Sequence, residues 1–218
     1  MSTNSGGETV YQSVRDYVLD LARRIDEPVR IREQDLAEKL GVSRTPVRQA
    51  LLRLGQDGIL TLEAHKGAVL APTTTRDYLD WLKIRVELEG FAAREAALNA
   101  SKRDVDALRA IFSEFDEASL DKKAKAYAAA NVEFHAAIMK LADNPLLERI
   151  WASFGHRGMI KTRTIQRLDR SRQSLREHLA LIDAIEQRDA QKAQSLAREH
   201  VEGLLQQVTA EMERNERT

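Results

Sequence analysis

Three histidines in the second half of this 218-residue chain have the types and spacing to do chemistry. His135 lies one turn from Asn131 and Met139, His178 between Leu175 and Ile182, and His200 between Leu196 and Leu204. Helical geometry puts each imidazole on the apolar face of its own segment, so three helices send a histidine inward. One inward histidine is ordinarily satisfied by a hydrogen bond in a core. Three in one bundle each carry a desolvation cost that a shared divalent cation would offset, with the Asn131 amide oxygen as a fourth donor. The expected ligand set is therefore Asn131, His135, His178 and His200. The expected metal is zinc, with nickel or manganese as alternatives. A metal-free bundle that only dimerises, its histidines dry and hydrogen-bonded, stays open as a second reading. A zinc hydrolase with Glu133 as base is disfavoured, because Glu133 stands two residues before His135 and points to another helical face.

A different chemistry is written in Leu36-Ala-Glu-Lys-Leu-Gly-Val-Ser-Arg-Thr-Pro-Val-Arg-Gln-Ala-Leu51. Leu36, Ala37 and Leu40 share one helical face, and Gly41 ends that helix and redirects the chain. Ser43 or Thr45 is expected to cap the next helix, because Pro46 fits only in a first turn. Val47, Ala50, Leu51 and Leu54 then face a core, while Thr45, Arg48 and Gln49 face outward with Arg44 beside them. Arginine can fork onto guanine, glutamine can pair with adenine, and Ser or Thr at a helix start can bind phosphate. The pattern predicts a helix-turn-helix that reads double-stranded DNA. Next come two short strand-like runs, Ile59–Leu62 and Ala68–Ala71, joined by Glu63-Ala-His-Lys-Gly67. His65 and Lys66 at the tip of this wing could touch backbone or minor groove.

These motifs resemble the winged helix of GntR-family bacterial transcription regulators over residues 9 to 72. The resemblance implies DNA contacts at Ser43, Arg44, Thr45 and Arg48 and a wing contact at His65 or Lys66. Gln34 and Gln49 complete the candidate set; Gln34 stands where many members carry a charged residue.

The elements that position these groups are mostly helical. The chain is 31% charged and 5% aromatic, has no cysteine, and carries a formal net charge of +0. Disulfides and thiolate metal sites are excluded, and nucleic-acid binding has to rely on a local cationic face. No apolar run approaches bilayer length and no signal-peptide core precedes the first helix, so an intracellular protein with no membrane partner is expected, and the GntR resemblance implies the bacterial cytoplasm. Residues 1–8 are expected to be a disordered tail, 9–72 a DNA-binding domain, 73–75 a linker, 76–213 a helical domain and 214–218 a second tail. Within the helical domain the pattern predicts helices near 75–99, 102–119, 122–142, 145–167, 171–187 and 190–213. Ser101 with Asp104, Asn144 before Pro145, Ser171 and Asp189 mark starts. The fold class is mainly α: an N-terminal winged helix-turn-helix followed by an all-helical antiparallel bundle of about six helices.

The segments Asn131-Val-Glu-Phe-His135, Ala142-Asp-Asn-Pro-Leu-Leu147, Arg176-Glu-His-Leu179 and Ala197-Arg-Glu-His200 resemble the FCD ligand-binding domain of the FadR subfamily. Metal-binding members carry D-x-x-x-H and two later histidines, a pattern matched here except that Asn131 replaces the aspartate. The resemblance implies a pocket-facing arginine at Arg85 that would hold a small organic-acid effector; a bracing pair with Glu89 is the alternative. His156, between Gly155 and Gly158, is a second candidate for the pocket wall. The function implied is an effector-responsive repressor, not an enzyme, that reads an inverted-repeat operator as a homodimer, since one winged helix reads only a few base pairs.

Overall fold

The computed structural model describes residues 5–22, 24–63, 67–154 and 170–216, which fall into two compact units: the second takes in Arg76–Ala152 and the described residues from Arg170 onward, and the first takes in the rest. In the first unit, α1 (Ser5–Ala22) takes in residues 5–8, which were expected to belong to a disordered tail. After it come β1 (Val29–Ile31), α2 (Glu33–Leu40), α3 (Arg44–Gln56), β2 (Thr61–Glu63) and β3 (Gly67–Leu70). The strands form an antiparallel sheet of order β1-β3-β2, with Ile31 opposite Ala68 and Thr61 opposite Val69. Strand β1 was not expected from sequence: three residues behind Pro28 are too few to show the alternation that marks a strand. The core gathers Val14 and Val18 from α1, Leu36 and Ala37 from α2, Val47, Ala50, Leu51 and Leu54 from α3, and Ala68 and Leu70 from β3.

The turn between α2 and α3 follows from one residue. Gly41 closes α2 at φ 66°, a left-handed conformation that glycine adopts without a Cβ penalty, and the Val42 N–H returns to the Ala37 carbonyl at 3.0 Å. Ser43 is then the N-cap of α3 in extended conformation, but its side chain makes no capping hydrogen bond.

The second unit comprises α4 (Thr75–Asn99), α5 (Lys102–Ile111), α6 (Ala124–Leu141), α7 (Pro145–Phe154), α8 (Ser171–Glu186) and α9 (Ala190–Glu216). Starts are set by side chains that satisfy orphan backbone groups. Ser101 and Asp104 form a reciprocal capping box, Asn144 Oδ1 accepts from the N–H groups of Leu146 and Leu147 at 3.1 Å each, and Asp189 Oδ1 accepts from Lys192 N at 3.0 Å. At α8 the cap is Arg170, not Ser171, which is the first helical residue. The helix expected over 102–119 stops at Ile111, because Asp116 and Ser119 bond each other's backbone N–H at 2.7 and 3.1 Å and so build a turn that competes with helix. Conversely, α9 runs on through Glu216, past the boundary expected at 213. The core joins alanines 92, 93, 96 and 97 of α4 to Leu108, Phe134, Ile138, Leu175, Ile182 and Ala197. Small residues on α4 let neighbouring helices approach closely. Among the described residues no helix is long and apolar enough to cross a membrane.

Candidate nucleic-acid interface and metal centre

Helix α3 presents two faces. Val47, Ala50, Leu51 and Leu54 are buried, at 0–3% exposure, and anchor the helix, while Ser43, Arg44, Thr45, Arg48 and Gln49 are all exposed. Gln34 is exposed on α2 and bonds Glu38 at 3.1 Å. The sequence-derived candidates therefore share one solvent-facing surface of the first unit, except that His65 and Lys66 lie outside the described residues. Glu33 sits among them, as sequence reasoning did not foresee. Its carboxylate accepts from Arg48 Nε and Nη2 at 2.9–3.0 Å and lies 3.6 Å from Arg44 Nη2. The Arg48 hydrogen bond, ahead of its charge and that of Arg44, holds the Glu33 carboxyl below the usual carboxylate range.

In the second unit α6, α8 and α9 bring His135, His178 and His200 together, buried to 6%, 1% and 6% exposure, with a ligand nitrogen from each within 4.8 Å of the others. Ring centroids are 5.2 Å apart for His135–His178, 5.3 Å for His135–His200 and 4.6 Å for His178–His200. His178 also packs on Phe112, nearly parallel at 5.2 Å, and on Phe134 at 4.6 Å, which fixes its ring plane. Burial pulls the pKa of His135 down to about 4 and that of His178 well below 6.5. Both rings are thus held neutral, the form that offers a lone pair to a cation.

The outer partners decide which nitrogens are free. His135 Nδ1 meets Glu89 Oε2 at 2.9 Å and His200 Nδ1 meets Glu177 Oε2 at 2.6 Å. His135 Nε2 and both nitrogens of His178 have no hydrogen-bond partner among the described residues. Carboxylates that accept the Nδ1–H hydrogen bond leave the opposite nitrogen basic and aimed, which is the second layer expected behind metal-ligating imidazoles. Orphaned buried nitrogens in a convergent triad fit a divalent metal ion; they do not fit a dry core, where each would cost roughly 1–3 kcal/mol.

Each carboxylate is itself paired with an arginine. Arg85 is ion-paired to Glu89, and Arg85 also lies 5.8 Å over the Trp151 ring. The bracing pair read from sequence is therefore present, but Glu89 links it directly to His135. Burial alone would raise the Glu89 carboxyl; Arg85, with His135, holds it instead at about 2. Arg170, 6% exposed, donates to Glu177 at 3.0 Å and to the His200 carbonyl. It approaches α9 where Gly203 leaves room: a Cβ there would stand 2.9 Å from Arg170 Nη1, an atom with no partner among the described residues. Tyr127, whose hydroxyl is pushed up to about 12 chiefly by burial, remains a neutral donor within the field of Arg170 and Glu177.

Asn131 is half-buried one turn before His135, and Glu133 is exposed, away from the triad, so α6 offers no base for water activation. His156 lies outside the described residues. Glu89, Glu177 and Arg170 were missed as site residues. The i,i+4 spacing of Arg85 and Glu89 was a signal for the first, whereas nothing distinguishes Arg170 among 34 Lys and Arg residues.

Comparison with known proteins assigns both parts of the chain to families. Residues 7–70 match the model of the gntR family of bacterial regulatory proteins, and residues 80–203, more than half of the chain, match the FCD domain. The chain belongs to the GntR family. This GntR-family regulator is 32% identical over 203 residues, 90% of it and 88% of the relative, to a "Probable D-xylose utilization operon transcriptional repressor" of Paenarthrobacter nicotinovorans. It is 24% identical over 186 residues, 76% of it and 80% of the relative, to the galactonate operon transcriptional repressor of Escherichia coli K12. In fold it is similar to E. coli McbR/YncC, with a TM-score of 0.73 at 23% identity over 95% of this chain and 99% of that one. A GntR regulator of Rhodococcus sp. RHA1 gives 0.68 at 19% identity over the same shares. The mainly helical fold, the winged helix-turn-helix and the FCD domain identify a ligand-responsive, DNA-binding transcription regulator and not an enzyme.

Proposed function

We propose that this regulator is a cytoplasmic repressor that reads an inverted-repeat operator as a homodimer and is released by a small organic acid bound beside a metal in the FCD domain. The convergence of His135, His178 and His200, with His135 Nε2 and both His178 nitrogens unpartnered among the described residues, carries the effector half of this reading. A divalent ion there, zinc first with nickel or manganese as alternatives, would supply Lewis acidity toward a carboxylate oxygen. Asn131 is the fourth ligand in this reading, Arg85 and Arg170 add positive field around His178, and His156 belongs to the pocket wall. The DNA half rests on α3. Arg44, Thr45, Arg48 and Gln49 reach base edges while Ser43, its hydroxyl free of a capping bond, meets phosphate beside Gln34; His65 or Lys66 adds a wing contact.

Two half-sites need two subunits, and α4 offers a surface for a second copy of this chain. Ile84, Phe91 and Leu98 repeat every seven residues along it and are 50%, 39% and 46% exposed. A two-fold axis through Phe91 would set Ile84 against Leu98 of the partner subunit, making the stripe self-complementary. Effector occupancy then alters operator affinity by as much as the effector prefers one state over the other.

The test is a panel of small carboxylic acids applied to the zinc-loaded protein, with sugar acids first because one relative is named for a galactonate operon. At least one acid should raise the melting temperature and weaken operator binding, and a chelator should abolish both effects. A panel in which no acid stabilises the loaded protein, or in which chelation changes nothing, contradicts the effector reading.

A further inference from the structure

The first residue of α2 holds the fork that α3 presents. Glu33 Oε1 accepts from Arg48 Nε at 2.9 Å, and Oε2 accepts from Nε at 3.0 Å and from Nη2 at 2.9 Å. The same Oε2 lies 3.6 Å from Arg44 Nη2, so one carboxylate serves both arginines of the proposed reading surface. The pairs are open to water, at 55% exposure for the Arg48 side chain, 60% for Arg44 and 29% for Glu33. Exposed pairs of this kind contribute little to stability. The consequence of Glu33 therefore falls on what the arginines can bind.

Two effects follow from the geometry. The carboxylate occupies the Nε and Nη2 edge of Arg48, which leaves the Nη1 end of the guanidinium free, and it orients that end before any ligand arrives. It also places a negative charge where a phosphate would have to approach. A guanine edge offers uncharged O6 and N7 acceptors and can take the free end with Glu33 still in place, whereas a phosphate at that end brings a negative charge that the Glu33 carboxylate repels. The formal net charge of the whole chain is +0, so sequence-independent attraction to DNA depends on a few local cations, and masking two of them matters. We infer that Glu33 is a specificity-determining residue: it positions Arg48 for a base and restrains Arg44 and Arg48 from phosphate, lowering the affinity of this regulator for DNA of arbitrary sequence. The inference rests on α3 as the reading helix.

The experiment measures binding of a random-sequence duplex by the full-length protein as a function of salt, for wild type, Glu33→Gln, Glu33→Asp, Arg48→Ala and the Glu33→Gln/Arg48→Ala double variant, each checked for an unchanged melting temperature. Glu33→Gln should bind the random duplex about fivefold more tightly, the effect of one exposed unit charge. Its log–log salt dependence should steepen by about 0.9 for each further phosphate that the arginines neutralise. Glu33→Asp, which keeps the charge, should stay at wild-type affinity, and the tightening from Glu33→Gln should shrink in the Arg48→Ala background. If Arg48→Ala weakens binding while Glu33→Gln leaves affinity and salt slope unchanged, the inference is wrong and the reading helix stands. If Arg48→Ala changes nothing even in the Glu33→Gln background, where the fork is unmasked, the assignment of α3 fails first.

Discussion

Replacing Glu89 by glutamine tests how the helical unit holds its candidate metal. The carboxylate, 4% exposed, touches two groups at once: it faces His135 Nδ1 at 2.9 Å and is ion-paired to Arg85, whose side chain is 12% exposed. Glutamine keeps the shape and an oxygen that can accept from Nδ1, but removes the charge that makes the opposite nitrogen of His135 more basic. Loss of such an outer partner lowers metal affinity by about 10–100-fold. The same change leaves Arg85 a buried cation without its counter-charge, which costs about 3–5 kcal/mol. For a chain of this length that is a drop in melting temperature of roughly 6–20 °C. Competition against a chromophoric chelator reads the first effect, and thermal unfolding of the apo protein reads the second. A Glu89→Gln protein that binds zinc within twofold of wild type would refute the role given to Glu89 behind His135. An unchanged melting temperature would refute the buried charge balance.

His178→Phe should remove the metal-dependent rise in melting temperature while leaving the apo protein as stable as wild type or more so, because two unsatisfied ring nitrogens are exchanged for an apolar ring between Phe112 and Phe134; differential scanning calorimetry with and without zinc checks this, and persistent metal stabilisation would exclude His178 as a ligand. Asn131→Asp should tighten zinc binding at least tenfold if that side chain is a ligand, since it adds an anion to a set of neutral donors; equal affinity in the chelator competition removes residue 131 from the site. Phe91→Glu should shift a dimer toward monomer in light scattering and weaken operator binding, and a variant that remains dimeric would place the interface elsewhere.

Legibility in the sequence followed the range of the interactions involved. Faces of helices are local, so the buried side of α3, the exposed set Arg44, Thr45, Arg48 and Gln49, and the inward turn of His135, His178 and His200 could be read from spacing alone. Caps made by a side chain within three residues were legible for the same reason at Ser101, Asn144 and Asp189. What escaped were contacts closed by the tertiary fold. Glu33 reaches Arg48 across fifteen positions, Glu177 reaches His200 across twenty-three, and Arg170 reaches the His200 carbonyl across thirty, and no periodicity links such pairs. Strand β1 escaped because its pairing with β3 gives it an identity that three residues lack by themselves. The second half of the helix expected over 102–119 failed where Asp116 and Ser119 offered the backbone a local alternative.

The central claim is that α3 reads sequence under control of the helical unit, and the most direct measurement compares two labelled duplexes at physiological salt: one from the region upstream of this regulator's own gene and one of the same composition scrambled. At least about 10³-fold preference for the first is expected, reduced by metal and effector together. Equal binding of the two duplexes would contradict the claim.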